Sequence, residues 1–202
     1  VLFRSNTLLQ GKVRMLEQLK DGILLYHGSY CEVKEPDLQK CSKFKDFGQG
    51  FYLTTDHNQA YSFAKISTQR MIENRKIPAN KNYGIVSSFI YRENEFCNVK
   101  YFATADVEWL HCIVAHRKVG AFANVAEQYR DFDVIAGKVA NDATNSTIVN
   151  YMARAFGPVG SATADSICIG LLLPERLKNQ YCFRTAKAIG NLAFKGCEKV
   201  WM

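Results

Sequence analysis

Two short stretches of the chain bring together residue types suited to gripping a flat, polar ring. His27-Gly28-Ser29 ends one apolar run, and Gly48-Gln49-Gly50-Phe51-Tyr52 begins another. A histidine at the end of a strand projects from a sheet edge, and the glycine after it, lacking Cβ, lets a ligand come close to the backbone. Gly48 and Gly50 loosen the chain ahead of Tyr52, and strand alternation turns Tyr52 to one face and Phe51 and Leu53 to the other. If the two strands lie side by side, an imidazole and a phenol flank one cleft. A planar, amide-bearing, partly cationic ring would stack there, and nicotinamide has that chemistry. On residue type alone, His27 reads rather as a histidine hydrogen-bonded in the core.

Other chemistries lose their usual signatures. There is no G-x-x-x-x-G-K-[ST] phosphate loop, no glycine-rich dinucleotide turn after the first strand, and no G-x-S-x-G nucleophile elbow. The seven cysteines are odd in number and never spaced C-x-x-C, which reads as reduced thiols in a cytoplasmic protein. The four histidines form no H-E-x-x-H pair, so no metal site is expected. No apolar run reaches the roughly 20 residues of a membrane span. The segment 1–13 has no apolar core ahead of a cleavage site, so no signal peptide is expected. The net charge of +7 favours anionic partners but is spread diffusely. Protein and nucleic acid both stay open as partners, with no aromatic-basic motif in the sequence favouring the latter.

The elements that must position these residues follow from periodicity and caps. Residues 5–22 read as a helix, with Leu8, Leu9, Val13, Leu16 and Leu19 at helical spacing and Gly22 as its stop. Strands are expected over 23–28, 50–55, 83–91, 132–140 and 179–185, and a loop over 30–48. Asp56 with Gln59 forms a capping box for a helix over 57–75 whose Ala60, Phe63, Ala64, Ser67 and Met71 face the core. Asp106 caps a helix over 106–120, with Trp109, Cys112, Ile113 and His116 on one face. Helices are also expected over 141–157, 161–173 and, last in the chain, 186–194. Strands and helices mix without strict alternation, so the fold class is α+β. The division expected is a helical extension, 1–22, and one domain, 23–202.

Read in order, Tyr26-His27-Gly28-Ser29, Asp46-Phe47-Gly48-Gln49-Gly50-Phe51-Tyr52-Leu53-Thr54-Thr55, Gln59-Ala60, Glu108-Trp109 with Arg117, 133–142 and 180–185 resemble one family. It is the bacterial domain of unknown function 3990, in the ADP-ribosyltransferase-like superfamily. The resemblance implies two small packed sheets forming an NAD cleft with flanking helices. It implies an enzyme that cuts NAD at the nicotinamide ribose bond and transfers ADP-ribose to a macromolecule, as a toxin or regulatory modifier. By that resemblance, His27 hydrogen-bonds a ribose hydroxyl, the backbone of Gly28 binds the carboxamide beside Ser29, and Tyr52 stacks on the nicotinamide. Asp46, Phe47, Gly48, Gly50 and Thr55 then border the cofactor.

The third catalytic position departs from the superfamily pattern. Where the poly(ADP-ribose) polymerase-like branch of that superfamily carries glutamate, this chain has Gln180, whose amide accepts a hydrogen bond but brings no negative charge and no general base. Asp142 or Asp133 is the alternative source of a carboxylate, although Asp142 also reads as a helix cap. Trp109 reads as a core anchor, and Arg117 as either a phosphate partner or a charge at a helix end. The competing functions are a weak NAD or ADP-ribose binding module and an NAD glycohydrolase. The N-terminal helix is a candidate contact for a partner protein.

Overall fold

The computed structural model describes residues 16–140, 142–174 and 177–202, without the side chains at 142 and 143. It is a mixed α+β chain with two small sheets. The elements in order are β1 (Leu24–Ser29), β2 (Phe51–Leu53), α1 (His57–Glu73), β3 (Tyr83–Tyr91), β4 (Val99–Tyr101), α2 (Val107–Arg117), α3 (Ala123–Gln128), β5 (Val134–Lys138), α4 (Asp142–Met152), α5 (Ala162–Leu172), β6 (Asn179–Phe183), α6 (Ala186–Gly190) and β7 (Leu192–Trp201). One sheet runs β1-β3-β7 and the other β2-β6-β5-β4.

Strand alternation explains the layers. Leu25, Phe89 and Tyr91 of the first sheet share a buried cluster with Phe51, Leu53, Val134, Ala136, Tyr181 and Phe183 of the second, so the sheets pack on each other. On its far face the second sheet buries Ile135 and Cys182 against Trp109, Ile113, Ile148 and Cys168 from α2, α4 and α5. On the far face of the first sheet, Val86 and Val200 meet Ala60 and Ala64 of α1. Asp56, Asp106, Ser161 and Thr185 each cap a helix by accepting from a backbone N–H three residues on, as short polar side chains at that position do.

Three expectations need correction. The buried stripe of α1 is Ala60, Ala64 and Thr68, while Phe63 is 44% exposed. The reason lies in the sheet beneath: a Cβ on Gly28 would stand 2.0 Å from the Ala60 carbonyl oxygen, and one on Gly84 would stand 2.6 Å from that of Ala64. The helix beds so closely on these two glycines that only small residues fit between. The helix expected over 186–194 ends at Gly190, and Leu192–Trp201 is a strand paired along the whole of β3. A lone short helix is marginal in water, whereas nine cross-strand pairs fix this segment on the sheet. Of the helix expected over 5–22, residues 5–15 lie outside the described residues and 16–20 carry no helix, though Leu16 and Leu19 pack on the inter-sheet core. Strand β4 and helix α3 had no counterpart in the sequence reading.

Candidate functional site

Among the described residues the two sheets touch edge to edge at one bridge, Tyr26 to Thr54. Tyr26 N–H donates to the Thr54 carbonyl at 2.8 Å, and Thr54 N–H returns the bond at 3.0 Å. One residue further along β1 the ladder stops, and the His27 ring takes the place of a backbone partner: Nδ1–H donates to the Tyr52 carbonyl at 2.8 Å. A carbonyl only accepts, so this bond fixes the tautomer and leaves Nε2 as an acceptor. Burial pushes the His27 pKa below the usual 6.5, partly offset by the bond to Tyr52, so the ring is neutral at pH 7. It lies against Phe51, with ring centroids 4.4 Å apart.

Strand register carries the line onward. Tyr52 pairs with Cys182, and Leu53 with Tyr181. The next residue of β6, Gln180, therefore lies beside Thr54, which in turn bridges Tyr26, so the backbones of His27, Tyr52 and Gln180 meet at this corner. The His27 ring lies on Phe51 at the inter-sheet face while the Tyr52 ring packs on the opposite face of β2, so the two rings do not flank one cleft as expected. Gln59 reinforces this corner: its amide nitrogen donates to the Asn179 carbonyl at 3.2 Å, and its amide oxygen accepts from the Thr54 hydroxyl at 3.1 Å. In the sequence Gln59 was legible as half of a capping box and as part of the family resemblance, not as a link between Thr54 and Asn179.

The run Asp46-Phe47-Gly48-Gln49-Gly50 is embedded in the protein. Phe47 is fully buried and stacks on Phe102 at 5.9 Å, in space left by Gly137, where a Cβ would come within 3.0 Å of the Phe47 ring. Gly48 has φ +79, and a Cβ there would stand 2.6 Å from His116, so both conformation and space demand glycine. At Gly50 a Cβ would stand 2.4 Å from the Cys182 sulfur. The Tyr52 ring reaches back into this loop, its hydroxyl donating to the Gly48 carbonyl at 2.8 Å and accepting from Phe47 N–H at 2.9 Å. Burial first, then the neighbouring Cys182 and Asp46, push the phenol pKa well above 10, so Tyr52 stays protonated. Its ring is a fixed wall.

Gln180 is buried, and its amide nitrogen donates to Asp46 Oδ2 at 2.7 Å and to the Lys138 carbonyl at 3.4 Å. Both partners are acceptors, which settles the orientation of the amide and leaves Oε1 as its acceptor. Asp46 also accepts from Ala140 N–H at 3.0 Å on Oδ2 and from Arg117 Nε at 2.9 Å on Oδ1, with Arg117 Nη2 on the same oxygen. Arg117 completes its bonding with Asn145 Oδ1 at 2.8 Å and the Ala140 carbonyl at 3.2 Å. Asp46 and Arg117 thus form a buried ion pair that orients Gln180 and joins the glycine loop to α2, β5 and β6. Arg117 is consumed by this network, which removes the phosphate-partner reading. The carboxylate beside Gln180 is Asp46, a role its sequence context did not reveal.

Asp133 lies away from Gln180. It lies beyond the opposite end of β5 from Gly137, the partner of Gln180, where it binds Lys187 at 2.6 Å, the Thr185 hydroxyl at 2.7 Å and Asn98 N–H at 2.9 Å. The side chain of Asp142 lies outside the described residues. Trp109 is buried with Nε1–H donating to the Lys138 carbonyl at 3.0 Å, a core anchor as its position on α2 implied. Ser29 is buried opposite Ile85 on β3, and Thr55 is half-buried just beyond the bridge. The absence of a side chain at Gly28 is required by α1, independently of any ligand. Among the described residues no group of three or more potential ligating side chains is placed to hold a metal ion, and no helix is long and apolar enough to cross a membrane.

No curated protein matches the chain. A family model matches residues 23–194, from the residue before β1 through the first part of β7, and so spans the bridge, the glycine loop and the Asp46–Arg117–Gln180 network. By that match the chain belongs to the family described as protein of unknown function (DUF3990).

Proposed function

We propose that the protein is a mono-ADP-ribosyltransferase that cleaves NAD at the nicotinamide ribose bond and passes ADP-ribose to a macromolecular acceptor. The observation that carries this reading is the fixed, neutral His27, whose Nδ1–H is bound to the Tyr52 carbonyl and whose Nε2 is left as an acceptor. Nε2 would accept from a ribose hydroxyl, and the immobile Tyr52 ring would offer its face to nicotinamide. Cleavage of the C–N bond passes through an oxocarbenium-like state, so the site needs a held leaving group and acceptors near the ribose more than a strong nucleophile. Gln180 Oε1 serves as a second neutral acceptor. The departing nicotinamide carries away the bonding pair, and the acceptor nucleophile attacks the exposed ribose carbon.

The test is incubation with labelled NAD and cell lysate. Wild type is expected to label a macromolecule, while His27→Ala and Tyr52→Ala lose at least tenfold of that label; labelling untouched by both substitutions would overturn the assignment. A second reading, an NAD or ADP-ribose binding module, draws on the same geometry: among the described residues the only carboxylate bonded to Gln180 is Asp46, and it is paired with Arg117. Binding of NAD without release of nicotinamide would favour that module, and release of free ADP-ribose without an acceptor would favour a glycohydrolase.

A further inference from the structure

Far from the cleft in sequence but on the same face of the first sheet, β3 and β7 assemble an exposed cluster of rings and ammonium groups. Tyr83 is the cross-strand partner of Trp201, their rings edge to face with centroids 5.5 Å apart. The Lys199 ammonium stands 4.7 Å from the Tyr83 ring and 5.9 Å from Trp201, and that of Lys81 stands 5.0 Å from Tyr83. Trp201 is 56% exposed, a large apolar area to leave in water. Among the described residues neither Lys81 nor Lys199 meets a carboxylate, in contrast to Lys34, paired with Glu32 on the segment that crosses this face nearer the cleft. An exposed indole beside ammonium groups without a carboxylate partner among the described residues is complementary to a ligand that alternates flat bases with phosphates.

We propose that the Tyr83–Trp201–Lys199–Lys81 cluster is a binding platform for single-stranded nucleic acid. Bases stack on the exposed indole, and the two ammonium groups take the neighbouring phosphates; stacking of this kind tolerates any base sequence. A duplex keeps its bases stacked on one another and offers the rings nothing, so the platform selects single strands. The cross-strand pairs His27–Ser87–Cys197, Ser29–Ile85–Lys199 and Tyr83–Trp201 lie in successive rows. Two rows are roughly 13 Å, the length of four strand residues at about 3.3 Å each, and the segment carrying Glu32 and Val33 lies over the row of His27, through Val33 N–H on Ser87 Oγ and Glu32 at Cys197. Use of that strand as the ADP-ribose acceptor rests on the transferase reading; the binding does not.

Fluorescence anisotropy with labelled twelve-residue oligo-dT and oligo-U, in the absence of NAD, tests the platform. Both single strands are expected to bind, and more tightly than a duplex of the same length. Trp201→Ala is expected to weaken binding about tenfold or more. Lys199→Ala is expected to lower the slope of log affinity against log salt by about 0.7. Quenching of tryptophan fluorescence gives a readout free of any mutational effect on folding, because the chain has two tryptophans and the other, Trp109, is fully buried. No binding at low salt, equal affinity for duplex, equal affinity for polyglutamate, or binding without tryptophan quenching would each overturn the proposal. Binding of oligo-U alone or oligo-dT alone assigns the strand to RNA or DNA. Nucleic acid binding with no ADP-ribose transfer would leave the platform standing and count against the transferase.

Discussion

Two charged clusters lie on different parts of this molecule and obey opposite rules. At the corner where β1, β2 and β6 meet, Asp46 and Gln180 are buried, Arg117 is partly buried, and both carboxylate oxygens of Asp46 carry donors. At the far end of the first sheet, Lys81 and Lys199 stand over Tyr83 and Trp201 without a carboxylate among the described residues. Burial makes an unpaired charge too costly to keep, so the inner cluster must be complete in the folded chain, and its work is to hold neighbours in place. Water tolerates the unpaired ammonium groups, so the outer cluster stays available to an anionic partner. The contrast separates a charge that builds the site from charges that wait for a ligand.

Breaking the inner pair should have the largest effect. Arg117→Met leaves Asp46 buried with its guanidinium removed and is expected to destabilise the fold by about 3–5 kcal/mol, read from the urea midpoint. Adding Asp46→Asn should recover part of that loss, since the stranded charge then disappears; no recovery in the double variant would show that Arg117 acts by packing alone. Next in size, Gln180→Ala removes one donor from Asp46 Oδ2 while Ala140 N–H remains, and about 1–3 kcal/mol is expected.

A smaller, pH-dependent loss should follow from the buried histidines. Burial holds His27 and His116 below 6.5, against a backbone hydrogen bond that raises each and, for His116, with the Arg184 charge lowering it further. The unfolded chain then takes up protons first as pH falls past 6.5, so this contribution is complete above about pH 6.5 and is lost between there and the folded-state values. Melting temperatures from pH 8 to 5 should decline across that window, less steeply in His27→Gln. The smallest effect belongs to the outer cluster: Lys199→Ala should change stability by no more than about 0.5 kcal/mol. A large loss of stability there would mean that the platform is part of the architecture, and the contrast between the two clusters would fail.

Much of the frame was legible because local rules govern it. Asp56 and Asp106 cap their helices through their own side chains, and the alternation of Tyr83–Tyr91 survives because that strand is sandwiched between β1 and β7. Strand β7 was hidden by a bulge: Phe89 pairs with Phe194 and Ser88 with Gly196, so Lys195 is the extra residue and the alternation changes phase there. Phe194 faces the inter-sheet core before the bulge and Cys197, Lys199 and Trp201 share that face after it, a pattern that neither period describes. The glycines were visible as loosening residues, but their partners were not. Gly28 answers to the Ala60 carbonyl, Gly48 to His116 and Gly50 to Cys182, and sequence distance conceals each contact.

By itself the sequence determined the residue types at the candidate cleft, the strand ends that carry His27 and Tyr52, and the amide at Gln180, because caps, alternation and residue chemistry act over a few positions. Only the tertiary structure decided that Arg117 belongs to Asp46, that Gln180 presents its oxygen, and that Lys81-x-Tyr83 meets Lys199-x-Trp201 across a strand pair. Those outcomes rest on long-range pairing, where the burial of a charge or the register of a strand is set by chain that lies far away in sequence.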